Sequence, residues 1–271
     1  MAPLLASITT PRSPLALIWQ DSLTVFWGDW LDLRVRVTQI VSSGLVSPLI
    51  YIVAFGFGLG SSLRPGSGLP EGYNSYLEFI LPGMVALSSM AISFGGTTFS
   101  ICGERLFSKT FEETLLLPVH PLALHIGKMI AGVVRGLLTS VSLLAIAILA
   151  TGSWGFLHPL FLLTLVLNCA TFAGIGVLVG LRVKSLETVG LYNNFLIVPM
   201  SFLGATFFDP AQLPIALKAA VYLMPLTYTN LGLRAAAYNP AEYPWYSLVI
   251  LVLLATSLAA LGAKQFASQQ D

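Results

Sequence analysis

Charged side chains are scarce in this chain. Asp, Glu, Lys and Arg make up 9% of its 271 residues, and residues with hydrophobic side chains make up 56%. An ordinary soluble domain is about a quarter charged, so this composition predicts a membrane protein. The formal net charge is only +1, which argues against the basic field of a nucleic-acid-binding protein and the acidic tail of a solvating region.

Features of several other protein classes are also missing. The two cysteines, Cys102 and Cys169, lie inside apolar runs, which favours buried free thiols over a disulfide or a metal site. No Gly-x-x-x-x-Gly-Lys-Ser/Thr loop occurs, so the chain lacks the usual means of holding ATP. Residues 1–10 lack the basic and apolar regions of a signal peptide, so we expect the membrane helices to be retained.

Long apolar runs are what the chain has in abundance. A spanning helix needs about 20 predominantly apolar residues, and six runs approach or exceed that length. We therefore predict an all-α polytopic membrane protein with six transmembrane helices, at about 37–60, 79–102, 122–150, 160–181, 188–208 and 246–263.

The region before the first span has a different character. Within residues 14–32, the aromatic residues Trp19, Phe26, Trp27 and Trp30 are interspersed with three aspartates. Because indole rings favour the membrane interface, this pattern predicts an amphipathic interfacial helix within a cytoplasmic segment 1–36. The alternative is a soluble helix packed on a partner.

A second irregular region lies before the last span. Residues 209–243 are apolar, but prolines interrupt them at positions 210, 214, 225 and 240. The pieces between these prolines are too short to cross a membrane, which predicts broken re-entrant or interfacial helices.

The distribution of basic residues predicts the orientation. With six spans, both termini lie on one side, together with Arg12, Arg34, Arg36, Arg105, Lys109, Arg182, Lys184 and Lys264. The opposite side keeps only Arg64, Lys218 and Arg234. The positive-inside rule therefore places both termini in the cytoplasm and the 209–243 segment at the outer face.

Charges are concentrated in the segment from Glu104 to Pro118, between the second and third spans. At 100° per residue, Phe107, Phe111 and Leu115 form one stripe, with charged residues opposite, which predicts a short two-faced helix. One interpretation is a solvated connector whose charges fix topology. The other is a docking element for a soluble partner, favoured because a simple turn needs only about 2–8 residues.

Polar residues inside the predicted spans have structural or functional interpretations. Arg135 lies too deep to reach the interface easily, so it either contacts a polar substrate or pairs with a backbone carbonyl or polar neighbour. Lys128 is expected to snorkel to the surface as an anchor. Tyr192 and Asn193 are expected either to hydrogen-bond between helices or to line a pathway.

No arrangement of residues predicts catalysis or metal binding. His120 and His125, near Glu112 and Glu113, do not have the spacing of a His-Glu-x-x-His site. The sequence also lacks a Ser-His-Asp arrangement or paired carboxylates within its spans. We therefore expect a chain that is not itself an enzyme and holds no catalytic metal.

Two blocks of sequence resemble the membrane subunits of ABC exporters of the ABC-2 family. The first comprises Glu104-Arg105, Thr110, Glu112-Glu113, Leu115 to Val119 and Gly127-Lys128, with Lys109 where glycine is common in the family. The second comprises Pro199 to Phe208, Leu213-Pro214, Pro225 to Tyr228 and Arg234. Both occur in the family's order, and the finer pattern is most similar to nodulation-factor and drug-resistance permeases.

The resemblance implies a single ABC-2 transmembrane domain over 1–271, similar to type V exporters, in a bacterial inner membrane. Two such permeases, identical or homologous, would work among membrane lipids with two cytoplasmic ATPase subunits that hold the ATP and Mg²⁺. The 104–118 segment would be the coupling helix, with Glu104, Arg105, Lys109, Thr110, Glu112, Glu113 and Pro118 facing the ATPase. The expected substrate is amphipathic: a lipid, a lipid-linked saccharide or a hydrophobic drug.

An outer gate or substrate pathway is also implied. Its candidate residues are Arg135, Tyr192, Asn193, Phe202, Phe207 and Phe208. The alternative function is a secondary transporter or channel that works without ATP, although such proteins usually carry ion-binding acids within their spans or an internal repeat.

Overall fold

The structure, a computed structural model, describes residues 14–59, 73, 75–116 and 118–270. Arg12, Arg64 and the end of the predicted first span at Gly60 lie outside these residues. Every regular element among the described residues is helical. This confirms the predicted all-α class.

Five helices are long and apolar enough to cross a membrane, judged by length and composition over the described residues: Val37–Ala54, Tyr76–Ser108, Pro121–Thr151, Pro159–Arg182 and Trp245–Gln269. Two of them, α5 (Pro121–Thr151) and α6 (Pro159–Arg182), differ from the predicted spans by one residue at each end. The chain is therefore a multi-pass membrane protein.

Six further α-helices among the described residues are not spanning candidates: α1 (Pro14–Val35), α4 (Thr110–Leu115), α7 (Leu186–Tyr192), α8 (Val198–Leu203), α9 (Ile215–Tyr222) and α10 (Pro225–Tyr238). The other three spans are α2 (Val37–Tyr51), α3 (Tyr76–Gly103) and α11 (Trp245–Gln270). Three π-helical stretches, Ile52–Leu59, Glu104–Ser108 and Asn193–Ile197, continue α2, α3 and α7.

Proline and histidine together begin the two best-predicted spans. Pro121 and Pro159 stand at the first helical turn, where the missing amide hydrogen costs nothing. The histidine before each proline is extended, and its Nδ1 accepts a hydrogen bond from the second helical amide, at 3.1 Å for His120 and 3.3 Å for His158. The α5 helix ends at Gly152, whose φ of 68° stops the helix in a conformation that glycine adopts freely.

The α3 helix is the central element. It packs against α5, α6, α10 and α2. In its most apolar stretch of 18 residues, 78% is buried within the protein. The corresponding buried share is 17% for α2 and for α11. These two helices therefore present most of their apolar surface outward, where lipid or another chain can cover it.

Close contact between α3 and α5 depends on glycine. A Cβ at Gly136 would overlap Ser93 Oγ and lie 2.9 Å from Cys169 Sγ, and both of these residues are fully buried. We expect Gly136→Val to destabilise the protein by about 1–3 kcal/mol, because two packed helices must separate. Thermal unfolding in nanodiscs measures this.

The matched control is Gly95→Val in α3, where an added Cβ meets nothing within 4 Å. Both changes place a β-branched residue in a membrane helix. The difference between their unfolding temperatures therefore reports the overlap with Ser93 and Cys169 alone. Equal unfolding temperatures for the two variants would contradict the packing described.

The predicted fifth span is present as helix but in three parts. The α7 helix, the π-helical stretch Asn193–Ile197 and α8 cover residues 186–203 and end before Phe208. This segment is not among the five spanning candidates of the described residues. The count of six spans stays a prediction.

The proline-interrupted region is broken as predicted, with α9 and α10 separated near Pro225. Arg234, counted among the basic residues of the outer side, is buried within the helices. Only 5% of Arg234 is exposed, since α10 packs among α3, α6 and α11.

Candidate functional site

The charged segment Glu104–Pro118, called the docking segment below, is not one helix. The α3 helix continues through Ser108, and Lys109 then adopts a left-handed conformation, with φ of 56°, before α4 begins at Thr110. This break separates Phe107 from the stripe predicted for it: Phe107 is 68% exposed, whereas Phe111 is 4% exposed. The prediction of a single two-faced helix is therefore wrong at Lys109.

The inner side of the docking segment packs into the bundle. Phe111 lies in an apolar cluster with Leu124 of α5, Val177 of α6 and Phe266 of α11. The Phe111 and Phe266 ring centroids are 6.1 Å apart, and the Arg105 guanidinium lies 5.6 Å from the Phe111 centroid. This short segment therefore contacts three long helices besides α3.

Arg105 joins the docking segment to the end of α6. Its Nη1 donates to the carbonyl oxygens of Leu181, Gly180 and Val183, at 2.6, 3.0 and 3.2 Å. The last carbonyls of a helix have no partner within it, and a planar guanidinium suits several acceptors at once. Arg105 thus points into the molecule, contrary to the face predicted for it.

We expect Arg105→Lys to loosen the end of α6, because one ammonium group cannot reach all three carbonyls. Losing about 1.4 kcal/mol of local stability would make amide exchange roughly tenfold faster over residues 178–184. Hydrogen exchange with mass spectrometry measures this. The matched control is Arg182→Lys, at an exposed position of the same helix end; equal exchange in the two variants would contradict the contact.

The outer side of the docking segment is exposed. It carries three charged side chains beside two large apolar ones, and we call the following set the docking face: Phe107, Lys109, Thr110, Glu112, Glu113, Leu116 and Pro118. Leu116 is 87% exposed. Exposed apolar side chains among charges are typical of a protein-binding surface. Neither Phe107 nor Leu116 is among the docking residues predicted from the sequence.

Glu104 faces the interior instead, in an ion cluster formed with Asp29 and Lys128. Lys128 Nζ lies 2.8 Å from Asp29 Oδ1 and 2.6 and 2.7 Å from the two Glu104 oxygens. Lys128 is 7% and Asp29 8% exposed. Lys128 therefore does not snorkel as predicted, because two carboxylates compensate its charge inside the protein.

Hydrogen bonds extend the ion cluster to Arg135. Arg135 Nη2 donates to Ser100 Oγ at 3.1 Å, and that hydroxyl donates to Glu104 Oε1 at 3.4 Å. Arg135 Nη1 donates to the Gly96 carbonyl at 2.9 Å. This geometry matches the structural interpretation of Arg135, as a residue paired with a carbonyl and a polar neighbour.

The ion cluster holds three elements of the fold together. Asp29 belongs to α1, Glu104 to the continuation of α3, and Lys128 to α5. The α1 helix turns Trp19, Leu23 and Trp27 outward. Two of the four aromatic residues predicted for the interfacial helix are thus exposed, whereas Phe26 and Trp30 are half-buried. Its polar residues Ser22 and Asp29 are buried against the bundle.

The predicted gate and pathway residues do not form one group, since Arg135 lies beside the ion cluster and Phe207 lies near the start of α3. Phe207 packs against Tyr51 and Phe202, with centroid distances of 5.6 and 5.8 Å, and its carbonyl accepts from the Tyr76 hydroxyl at 2.9 Å. Phe208 is partly buried nearby. Tyr192 is exposed and Asn193 is partly exposed.

Arg234 stabilises that end from within. It donates from Nε to the Phe79 carbonyl at 3.1 Å and from Nη2 to the Thr206 carbonyl at 2.7 Å. Its guanidinium also lies 3.7 Å from the centroid of the Phe79 ring. Burial lowers the pKa of Arg234 to about 10, which still leaves it charged at neutral pH.

Metal ligation finds no support among the residues that the structure describes. None of their histidines, cysteines and carboxylates form a group of three able to hold an ion. His125 of α5 is fully buried, and its ring centroid lies 6.5 Å from that of Phe266. Glu112 and Glu113 are exposed on the docking face.

Comparison with known proteins identifies the family. Residues 18–238 match the ABC-2 type transporter family. The chain is 27% identical to the inner membrane transport permease YadH of Escherichia coli (strain K12) over 224 residues, 81% of each chain. It is 26% identical to nodulation protein J of Rhizobium leguminosarum bv. viciae over 211 residues, 76% of this chain and 78% of the relative. The matched region contains the ion cluster, the docking segment and Arg234, and the chain belongs to the ABC-2 type transporter family of membrane permeases.

Proposed function

We propose that this chain is the membrane subunit of an ABC exporter in a bacterial inner membrane. Two copies, or one copy and a homologous permease, would form the translocation pathway together with two cytoplasmic ATPase subunits. ATP and Mg²⁺ would be held by those subunits. The observation that carries the proposal is the two-sided docking segment, whose outer side is exposed and whose inner side is bonded to the transmembrane bundle.

The contacts of the docking segment explain how movement would reach the membrane. Arg105 joins it to α6, Phe111 to α11, and Glu104 through Lys128 to α5 and α1. When ATP brings the two ATPase subunits together, each displaces the docking segment seated on it. Because the segment is linked to α5, α6 and α11 directly and to α1 through Lys128, these helices would move with it as a unit.

The energy for transport would come from the difference in ATP binding between two conformations. A partner shifts the permease only as far as it binds one conformation more tightly than the other. A rigid docking segment would transmit this difference in binding free energy to the membrane helices, whereas a flexible one would lose it in local movement. The ion cluster and Arg105 supply this rigidity.

Orientation follows from the same role. The docking face must lie in the cytoplasm to meet an ATPase, which places both termini there as well if six spans are present. The exposed basic residues Lys109, Arg182, Lys184 and Lys264 support this placement. The region around Phe207 and Arg234 would then lie at the outer side, where Phe202, Phe207 and Phe208 would contribute to an outer gate.

The expected substrate is amphipathic, such as a lipid, a lipid-linked saccharide or a hydrophobic drug. The supporting observation is the large outward apolar surface of α2 and α11, through which a molecule dissolved in the membrane can reach the protein. The name nodulation protein J belongs to those relatives and does not identify a substrate here.

Co-purification tests the proposal. The chain, with an affinity tag, is expressed together with any ABC ATPase that a neighbouring reading frame encodes and is purified in lipid nanodiscs. We expect the ATPase to be retained in equal molar amounts and to hydrolyse ATP in the complex. Purification of the permease without any ATPase, and ion or substrate flux through it in liposomes without ATP, would favour the alternative of an ATP-independent transporter.

A further inference from the structure

A cavity of about 710 Å³ lies near the start of α3, away from the docking segment at the other end of that helix. Ligand sites typically measure about 300–1,000 Å³. Charged and aromatic side chains share the lining of this cavity: Arg234, Asp209, Glu242, Tyr73, Tyr238 and Tyr246. Among the described residues that line it, one cation thus faces two carboxylates and several aromatic rings.

Arg234, the cation of this cavity, has one nitrogen left for a ligand. Its Nε and Nη2 donate to backbone carbonyls, whereas Nη1 donates to no described residue and is not among their fully buried unpaired atoms. Because Arg234 lines the cavity, Nη1 opens into it. The carbonyls and the Phe79 ring offer only partial negative charges, and Arg234 forms no ion pair with a described residue. A buried charge without a counter-ion favours an anionic group in the cavity.

The two carboxylates of the cavity favour a group of the opposite charge. Asp209 is half-buried and accepts from the Ala211 amide through Oδ1 at 2.9 Å, and Glu242 is exposed. Neither forms an ion pair within the described parts of the chain. A positively charged group with several N–H donors would complement both. The lining therefore suits a ligand that carries a negative and a positive group together, rather than an anion or a cation alone.

An apolar stripe leads from the cavity along α11. Tyr246 belongs to the lining, and Tyr246, Val249 and Leu253 are each more than half exposed. At 100° per residue, these three side chains lie within about 60° of one another around the helix. Trp245 is exposed at the start of the same span, and indole rings favour the level of the lipid headgroups. A lipid at this level would have its headgroup at the cavity and an acyl chain along the stripe.

We propose that this cavity binds the headgroup of a zwitterionic phospholipid with a primary ammonium group, such as phosphatidylethanolamine. The phosphate accepts from Arg234 Nη1, and the ammonium group donates to Asp209 and Glu242. One acyl chain lies along Val249 and Leu253. The site is independent of the proposed exporter function, because lipid binding requires neither an ATPase nor transport.

Native mass spectrometry of the purified chain in detergent tests this. The chain is titrated separately with phosphatidylethanolamine, phosphatidylcholine and phosphatidylglycerol that carry identical acyl chains. Phosphatidylcholine keeps both charges but has no N–H donor, and phosphatidylglycerol keeps the phosphate but has no cation. We expect phosphatidylethanolamine to bind at least roughly tenfold more tightly than either of the other two, because only it satisfies both the arginine and the carboxylates.

Variants locate the site and separate its two charges. Arg234→Gln should weaken binding of all three phospholipids at least roughly tenfold, since each of them carries the phosphate. Asp209→Asn with Glu242→Gln should instead bring the affinities for phosphatidylethanolamine and phosphatidylglycerol within about twofold of each other. This double variant changes no fully buried side chain, so it carries the test if Arg234→Gln does not fold. Glu187→Gln, at an exposed position outside the cavity lining, is the control and should bind as the wild type.

A soluble ligand distinguishes a lipid site from a site for a free zwitterion. Glycerophosphoethanolamine has the same headgroup without acyl chains and should bind at least roughly tenfold more weakly than the lipid. Equal affinity for this soluble headgroup, equal affinities for the three phospholipids, or an unchanged preference in the Asp209 and Glu242 double variant would each overturn the proposal. None of these results affects retention of the ATPase, so the two proposals fail separately.

Discussion

Lys128→Met is expected to lower the free energy of unfolding by about 3–5 kcal/mol, as removal of one partner from a buried ion pair does. Methionine preserves the length and the apolar stem of lysine, so the change isolates the charge. It leaves Asp29, which is 8% exposed, and the partly buried Glu104 without their shared cation. The two carboxylates then repel each other at the junction of α1, α3 and α5.

Thermal or denaturant unfolding in nanodiscs measures this effect. Lys264→Met is the matched control, since Lys264 is exposed on α11 and its loss should cost less than about 0.5 kcal/mol. A triple variant in which Asp29→Asn and Glu104→Gln accompany Lys128→Met removes all three charges and should recover much of the stability. Equal free energies of unfolding for Lys128→Met and Lys264→Met would contradict the claim that the ion cluster holds these helices together.

Reversal of the two acidic charges of the docking face should have the largest effect on function. Glu112 and Glu113 are both exposed, so Glu112→Lys with Glu113→Lys is expected to change stability by less than about 0.5 kcal/mol per site. The two lysines would then face an ATPase surface that is complementary to carboxylates, and the repulsion should weaken binding of the ATPase at least roughly tenfold. The dissociation constant is measured between permease nanodiscs and the purified ATPase.

A charge reversal at the other end of the molecule serves as the control. Glu242 is exposed just before α11, and α11 is 26 residues long, or about 39 Å at 1.5 Å per residue. Glu242→Lys alters the permease's net charge in the same direction but should leave ATPase binding unchanged. Equal loss of binding in both variants would indicate a non-specific charge effect and contradict docking at Glu112 and Glu113.

Local sequence patterns were sufficient to predict α5 and α6. Pro121 and Pro159 mark helix starts in sequence as they do in the structure, and Gly152 marks an end. The break at Lys109 carried no such mark, because the chain adopts a left-handed conformation there without glycine or asparagine. The sequence therefore predicts a continuous helix through the docking segment, and the structure breaks it at Lys109.

The ion cluster could not be predicted from periodicity. Lys128 lies 99 residues from Asp29 and 24 from Glu104, and nothing in their local surroundings shows that they meet. Lysine near the end of a membrane helix usually snorkels, which is why an anchor was predicted. Three acids on an otherwise aromatic helix were the available signal, since a buried acid calls for a buried cation.

Cross-linking from the tip of the docking segment tests the central claim most directly. The photoreactive residue p-benzoylphenylalanine replaces Leu116, which is 87% exposed, or Leu149, which is 86% exposed near the opposite end of α5. The account predicts a covalent adduct between permease and ATPase from position 116 and none from position 149. Adducts from position 149 alone, or from neither position in a complex that still hydrolyses ATP, would contradict it.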